Sequence, residues 1–307
     1  MKLIAPEFLK KGDKVALIAP ASFVVEESIV QAERLLTSWG LVPVRGAHVL
    51  HKSGSFAGTD QARLSDLQTA FDDKSIKAVW AIRGGYGLLR IIADIDFTVF
   101  NKHPKWVVGF SDMTAVHNLL HNKGFMSIHA LMPIQLHAEI PATEAAIISL
   151  KNALFGKNLK HVLPGCTMGK TGSISGELVG GNLSLLESLT GTKYQLKTKG
   201  KILFIEEVGE PLYKIDRMIQ SLKLAGCFKG LKGLIVGGFT SIQETEVSFK
   251  KTYHNIISEA VSEYSFPVLF DVLAGHQPDN RALVFGKEVI INIGEFISCI
   301  RFDLEGK

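Results

Sequence analysis

The sequence predicts an α/β protein of two unlike parts, the first organised on a parallel sheet and the second β-rich, α+β or barrel-like. Three observations lead to that fold class. Apolar strand-like runs alternate with helix-like segments through the first half, a Gly- and Pro-bearing stretch from Pro133 to Gly172 interrupts them, and shorter β-like runs dominate beyond it.

Taken in order, Lys14 to Ala19 (KVALIA) has the pattern of a short buried strand and ends at Pro20. Glu27 to Trp39 then places Ile29, Ala32, Leu35 and Leu36 on one helical face and stops at Gly40. Val42 to Val44 is the next strand. Asp60 to Phe71 repeats helical spacing through Ala62, Leu64, Leu67 and Phe71; Ala78 to Ile82 is another buried strand, and Arg83-Gly84-Gly85-Tyr86-Gly87 follows it. Lys105 to Gly109 is the last clear strand of this half, with a helix from Asp112 to His121 behind it. Within the interrupting stretch, Glu144 to Leu154 is helical. Further on, β-like runs lie at Ser173 to Leu178, Lys201 to Glu206, Gly233 to Gly237, Pro267 to Asp271 and Glu288 to Ile293. Helices are expected at Leu183 to Leu189, Tyr213 to Ala225 and Val247 to Tyr264. The resulting division is a first domain over 1–135, a connection over 136–172 and a second domain over 173–307.

Composition narrows the function classes. The 307 residues are 46% hydrophobic and 21% charged, with a mean hydropathy of +0.20, which fits a globular chain with a generous core and argues against disorder. A formal charge of +4, from 34 basic and 30 acidic residues, is too mild to imply nucleic acid, and no Lys/Arg block is interleaved with aromatics. Cys166, Cys227 and Cys299 are odd in number and far apart, so neither a disulfide framework nor a zinc ribbon is indicated. The apolar run near the N-terminus is broken by Glu7, Lys10, Lys11, Asp13 and Lys14, and no stretch approaches the roughly 20 apolar residues that span a bilayer. A cytoplasmic location is the expectation, with no membrane partner.

Four places carry possible chemistry. Ser111 stands between a buried strand and a helix. There its hydroxyl either caps the helix or acts as a nucleophile, and local composition favours the cap. The G-x-S-x-G elbow matches only in part, since Met113 occupies the position of the second Gly. The loop Arg83 to Gly87 also follows a strand end, and its glycines serve equally a plain tight turn or a close approach to ligand. Glu206 and Glu207 end the apolar run from Ile202 to Ile205, with Glu210 close behind, and a carboxylate there needs a partner such as a histidine. His276 sits on a Gly/Pro-flanked loop after a strand, well placed for proton transfer. His117 and His121 form HNLLH, but Asn118 replaces the Glu of the zinc motif HExxH, so no metal site is expected.

Together these places resemble the LD-carboxypeptidase family, serine peptidases that include murein tetrapeptide carboxypeptidases and, more distantly, microcin C self-immunity peptidases. The resemblance rests on Phe56-Ala57-Gly58-Thr59-Asp60 with Arg63-Leu64, on AIRGGYG from Ala81 to Gly87 with Ala93-Asp94-Ile95-Asp96, and on Gly109-Phe110-Ser111-Asp112. It continues through Gly180-Gly181-Asn182-Leu183, ILFIEEVGEPLYKIDRM from Ile202 to Met218, and Gly275-His276, in the family's order. The resemblance implies a flavodoxin-like N-terminal sheet domain, a β-rich C-terminal domain, and a Ser–Glu–His triad between them. Ser111 would be the nucleophile, His276 the general base and acid, and Glu206 the orienting acid; Glu207, where many relatives have Asp, is a second candidate for that role.

By the same resemblance the backbone amides of Gly85 and Asp112 are the oxyanion donors, Arg83 and Tyr86 contact substrate, and neither metal nor cofactor is needed. The implied reaction is removal of the terminal D-Ala from a cytoplasmic murein tetrapeptide in cell-wall recycling, by a homodimer. A microcin-like adenylate hydrolase and a catalytically silent muropeptide-binding protein are the alternatives.

Overall fold

The computed structural model describes residues 3–165 and 171–305; Cys166 and Gly169 lie outside the described residues. Among the described residues thirteen strands form two sheets. The first contains β1 (Lys14–Ile18), β2 (Val42–Arg45), β3 (Ile76–Ala81), β4 (Trp106–Gly109) and β5 (Ser127–His129), all parallel, in the order β2-β1-β3-β4-β5. This is the flavodoxin-like order, whose direction of winding reverses between β1 and β3. Alternation along β1 dictates the layers. Val15 and Leu17 pack with Ile29, Ala32 and Leu36 of α1 (Glu26–Ser38), while Ala16 and Ile18 face Leu67, Ala70 and Phe71 of α2 (Asp60–Asp72). α3 (Thr114–Asn122) shares the second face with α2, and α4 (Glu144–Leu154) shares the first with α1.

The second sheet runs β10-β9-β8-β7-β12-β13-β6, from β6 (Leu159–Pro164), β7 (Gly172–Asn182), β8 (Ile202–Val208), β9 (Gly233–Thr240), β10 (Val268–Leu269), β12 (Glu288–Ile293) and β13 (Ile297–Phe302). Its β7 to β10 portion is parallel and the remainder antiparallel. α5 (Leu183–Ser188), α6 (Leu212–Leu224) and α7 (Tyr253–Val261) pack on one face of the parallel portion, against Val179, Leu203, Ile205, Leu234 and Val236. The other face, with Phe204 and Ile235, joins the same core as Val108 and Ile128 of the first sheet. A thirteenth strand, β11 (Leu283–Phe285), ties the halves together by pairing antiparallel with β5.

Most expected elements are present within a residue or two, with instructive exceptions. The helix expected over Val247 to Tyr264 begins only at Tyr253. Thr252 and Asn255 cap it reciprocally, and Lys250 just before takes a positive φ of 56° that no helix continues through. β5 and β11 are three residues each, too short to show a period. β6 lies inside the stretch read as a connection; its alternating burial matches its pairing with β13. No helix among the described residues is long and apolar enough to cross a membrane.

Candidate active site

Ligands of open parallel sheets collect beyond the carboxyl ends of strands, where the winding reverses. Here the loops leaving β1, β3 and β4 meet at that place. β4 ends at Gly109, Phe110 extends the chain, and Ser111 then takes φ 62°, a left-handed conformation that costs a non-glycine residue on the order of 1–3 kcal/mol. A short 3-10 turn over Ser111–Met113 leads into α3. No side chain caps either segment, so the cap reading of Ser111 is corrected: its hydroxyl has no hydrogen-bond partner among the described residues and faces the cavity described below.

Neighbouring groups hold the strained turn. His117, fully buried in α3, donates from Nε2 to the Gly109 carbonyl at 2.9 Å and accepts at Nδ1 from Ser127 Oγ at 2.8 Å. Burial pushes its pKa down to about 4, so it acts as a neutral brace. His121 instead reaches Glu177. The two histidines of HNLLH therefore serve different partners.

The Arg83–Gly87 loop backs directly onto Ser111. A Cβ added at Gly84 would stand 2.8 Å from the Ser111 Cβ and 3.3 Å from the Asp112 amide nitrogen. Gly85, at φ 102°, lies against Ser22, where a Cβ would collide with Oγ. The loop is pinned at several points: Ser22 N–H donates to the Gly84 carbonyl, and buried Arg63 donates to the carbonyls of Pro20 and Gly87 while ion-pairing with Asp60. Leu88 N–H donates to Asp112 Oδ2 at 2.8 Å. Burial pushes the Asp112 carboxyl up to about 6, against the opposing effects of the Leu88 hydrogen bond and the Arg63 charge. Arg83 lines the cavity and donates to the Phe23 carbonyl. Tyr86 is half exposed, packs on Phe56 and is not among the cavity-lining residues.

The second sheet supplies the acid and the histidine. Pairing of β8 with β9 shifts register between Ile205 and Glu207, which leaves Glu206 at a bulge, a device that re-aims a side chain. Glu206 is fully buried and its Oε2 accepts from both His276 Nδ1 at 2.6 Å and His276 N–H at 3.2 Å. That closeness requires Gly275, at φ 104°, because a Cβ there would lie 2.7 Å from Glu206 Oε2. Burial opposes charge on His276, but the charge and hydrogen bond of Glu206, with the charge of Glu207, outweigh it and raise the imidazole above its ordinary value. Glu207 faces elsewhere: it accepts from Ser184 N–H and Oγ, Asn182 Nδ2 and Val208 N–H. Burial raises its pKa in spite of those bonds. Of the two adjacent acids, Glu206 is thus the one bonded to the histidine.

Ser111, Arg83, Gly84, Gly85 and His276 line one cavity of about 510 Å³, together with the apolar side chains of Met132, Ile134 and Ile140 and the amides of Gln135 and Gln277. Phe110 lies edge-on to His276, with ring centroids 4.7 Å apart. Several supporting residues escape sequence reasoning. Thr114 Oγ1 accepts from Asn182 N–H at 2.9 Å, and Gly181 permits that approach of β7 to α3, since a Cβ there would strike Thr114. Asn280 accepts from Gly275 N–H, and Gln135 donates to the Gln277 carbonyl. Gly180-Gly181-Asn182 was visible as a motif; Thr114, Asn280 and Gln135 left no local signal.

Two family models match the chain, the LD-carboxypeptidase N-terminal domain over residues 15–130 and the LD-carboxypeptidase C-terminal domain over residues 175–291. A murein tetrapeptide carboxypeptidase of Pseudomonas aeruginosa is 32% identical over 288 residues, covering 91% of this chain and 92% of that protein. A Bacillus subtilis protein named "Probable murein peptide carboxypeptidase" is 35% identical over 294 residues, covering 94% and 92%. The crystal structure of a muramoyltetrapeptide carboxypeptidase from Oxalobacter formigenes superposes with a TM-score of 0.85 at 25% identity, covering 94% of this chain and 98% of that one. The wild-type apo microcin C7 self-immunity protein shares the fold, with a TM-score of 0.87 at 19% identity and 99% of each chain covered.

Proposed function

The chain belongs to the LD-carboxypeptidase family, and on that footing we propose that it is a serine-type carboxypeptidase acting through an acyl-enzyme on Ser111. Its substrate on this reading is a cytoplasmic murein tetrapeptide met during cell-wall recycling, and its product is free D-Ala. The observation that carries the reading is the convergence on one cavity of a serine with a strained backbone, its hydroxyl without a partner among the described residues, and a histidine whose far nitrogen is bound to a buried carboxylate.

A serine hydroxyl attacks a carbonyl only if a base removes its proton as the bond forms. His276 Nε2 takes that proton while Glu206, fixed at Nδ1, holds the tautomer and stabilises the imidazolium. The amides of Gly85 and Asp112 receive the oxyanion, and the second of them lies at the first turn of a helical segment, where N–H groups lack intrahelical partners. His276 then returns the proton to the amine of departing D-Ala. Water, deprotonated by the same imidazole, hydrolyses the ester and restores Ser111. Arg83 supplies a cation for a substrate carboxylate.

Incubating the protein with murein tetrapeptide is expected to release D-Ala and leave tripeptide. Cleavage of a peptidyl-adenylate with no D-Ala release would reassign the substrate, and turnover of neither would favour a silent binding protein.

A further inference from the structure

The two amides of the proposed oxyanion hole come from different loops, so something must set their separation. The Asp112 backbone moves with the Ser111 turn, whereas Gly85 belongs to the loop after β3. The two segments are joined by a side chain: Asp112 Oδ2 accepts the Leu88 N–H at 2.8 Å from within a fully buried site. Its other oxygen, Oδ1, is buried with no partner among the described residues, so the carboxylate is not held there by a saturated structural network. The Arg63 guanidinium acts on it through its charge; Arg63 is itself buried and donates to the carbonyl of Gly87, the residue that precedes Leu88. At the other end of the loop, Ser22 N–H secures the Gly84 carbonyl and its Oγ accepts from Tyr86 N–H at 3.4 Å. Between these anchors Gly84 rests against Ser111 and the Asp112 amide with no room for a side chain.

Resting on the serine-peptidase reading above, we propose that the Asp112 side chain is the positioning residue of the oxyanion hole. One residue supplies one donor with its backbone and, through Leu88, fixes the loop that carries the other. A buried acid beneath a nucleophile is costly, and an alanine there would leave Leu88 N–H unpaired and the loop free to draw away from Ser111. The loss would be felt chiefly when charge develops on the carbonyl oxygen, because the substrate's ground state makes weaker use of those amides.

The test measures kcat and KM for D-Ala release with wild type, Asp112→Ala, Asp112→Asn and Asp112→Leu. Asn retains an oxygen that can accept from Leu88; Leu fills the same space without an acceptor and replaces Asp112→Ala should that variant fail to fold. The expected result is a fall in kcat of roughly 100-fold in the Ala or Leu variant with KM within about threefold, the size of effect seen when one oxyanion donor is lost. Asp112→Asn is expected to recover at least about tenfold of it. An acceptor-free variant with kcat within about threefold of wild type, or an Asn variant as impaired as the Ala or Leu one, would overturn the proposal. A wild-type protein that releases no D-Ala would instead sink the functional reading on which it rests.

Discussion

The two sides of the cavity are built on opposite physical terms. On the first sheet, Ser111 holds an unfavourable φ of 62°, its hydroxyl has no partner among the described residues, and the order around it comes from glycines pressed close and from His117 and Asp112 braced behind. On the second sheet, His276 and Glu206 are tied by two hydrogen bonds, and Asn280, Thr240 and Gly275 hold the loop that carries the histidine. The contrast separates backbone strain from a geometry fixed by hydrogen bonds through one oxygen of Glu206, whose Oε1 is buried with no partner among the described residues. A nucleophile must remain exposed and reactive, so its cost is borne by surrounding structure, whereas an acid and base pair must keep one geometry and is held by bonds.

Changes on each side should therefore have different signatures. The largest effect is expected for Ser111→Gly, which removes the nucleophile and lowers turnover by about 10⁴-fold or more. Because glycine accepts a positive φ without penalty, the same change is expected to leave the protein as stable or up to about 1 kcal/mol more stable in urea unfolding. A clear loss of stability would contradict the assignment of strain to this residue. Next in size, Glu206→Gln should lower kcat by roughly 10³- to 10⁴-fold. Its pH profile adds a sign: the base must be neutral, so activity rises with pH through the His276 pKa, which Glu206 holds above the ordinary 6.5. Removing that charge moves the rising limb to lower pH, and a limb that stays in place would mean that another group controls it.

The smallest effect concerns stability alone. Asp112 titrates near 6 in the folded protein against an ordinary 3.8, so unfolding releases its proton and wild-type stability falls as pH rises from about 4 to about 6. At 1.36 kcal/mol per unit the decline is on the order of 3 kcal/mol, and Asp112→Asn should lack it. Parallel stability curves for the two proteins between those pH values would refute the buried-acid account.

The elements around the nucleophile were more legible in sequence than those that complete the fold. β1, β3 and β4 are buried on both faces and read as apolar runs, and α1 shows an apolar stripe. β5 and β11 are too short to carry a period, and their pairing joins residues such as His129 and Leu283 that no local pattern connects. The site divides similarly. Ser111, Glu206 and His276 were legible through the motifs around them, although local chemistry alone favoured a cap at Ser111. The contacts that make those motifs work are long-range, as between Thr114 and Asn182 or Gly275 and Glu206, and the φ of Ser111 is a property of the packed turn. Buried His129 left no signal either: both its ring nitrogens are unpartnered among the described residues, and it packs against Phe110, Phe204 and Phe285.

If Ser111 is a nucleophile activated by His276, covalent labelling with a serine-reactive phosphonate followed by peptide mass mapping will show it. One adduct is expected, on Ser111, forming in the wild type and lost in His276→Ala. An adduct on another serine, or labelling of Ser111 at an undiminished rate without His276, would contradict it.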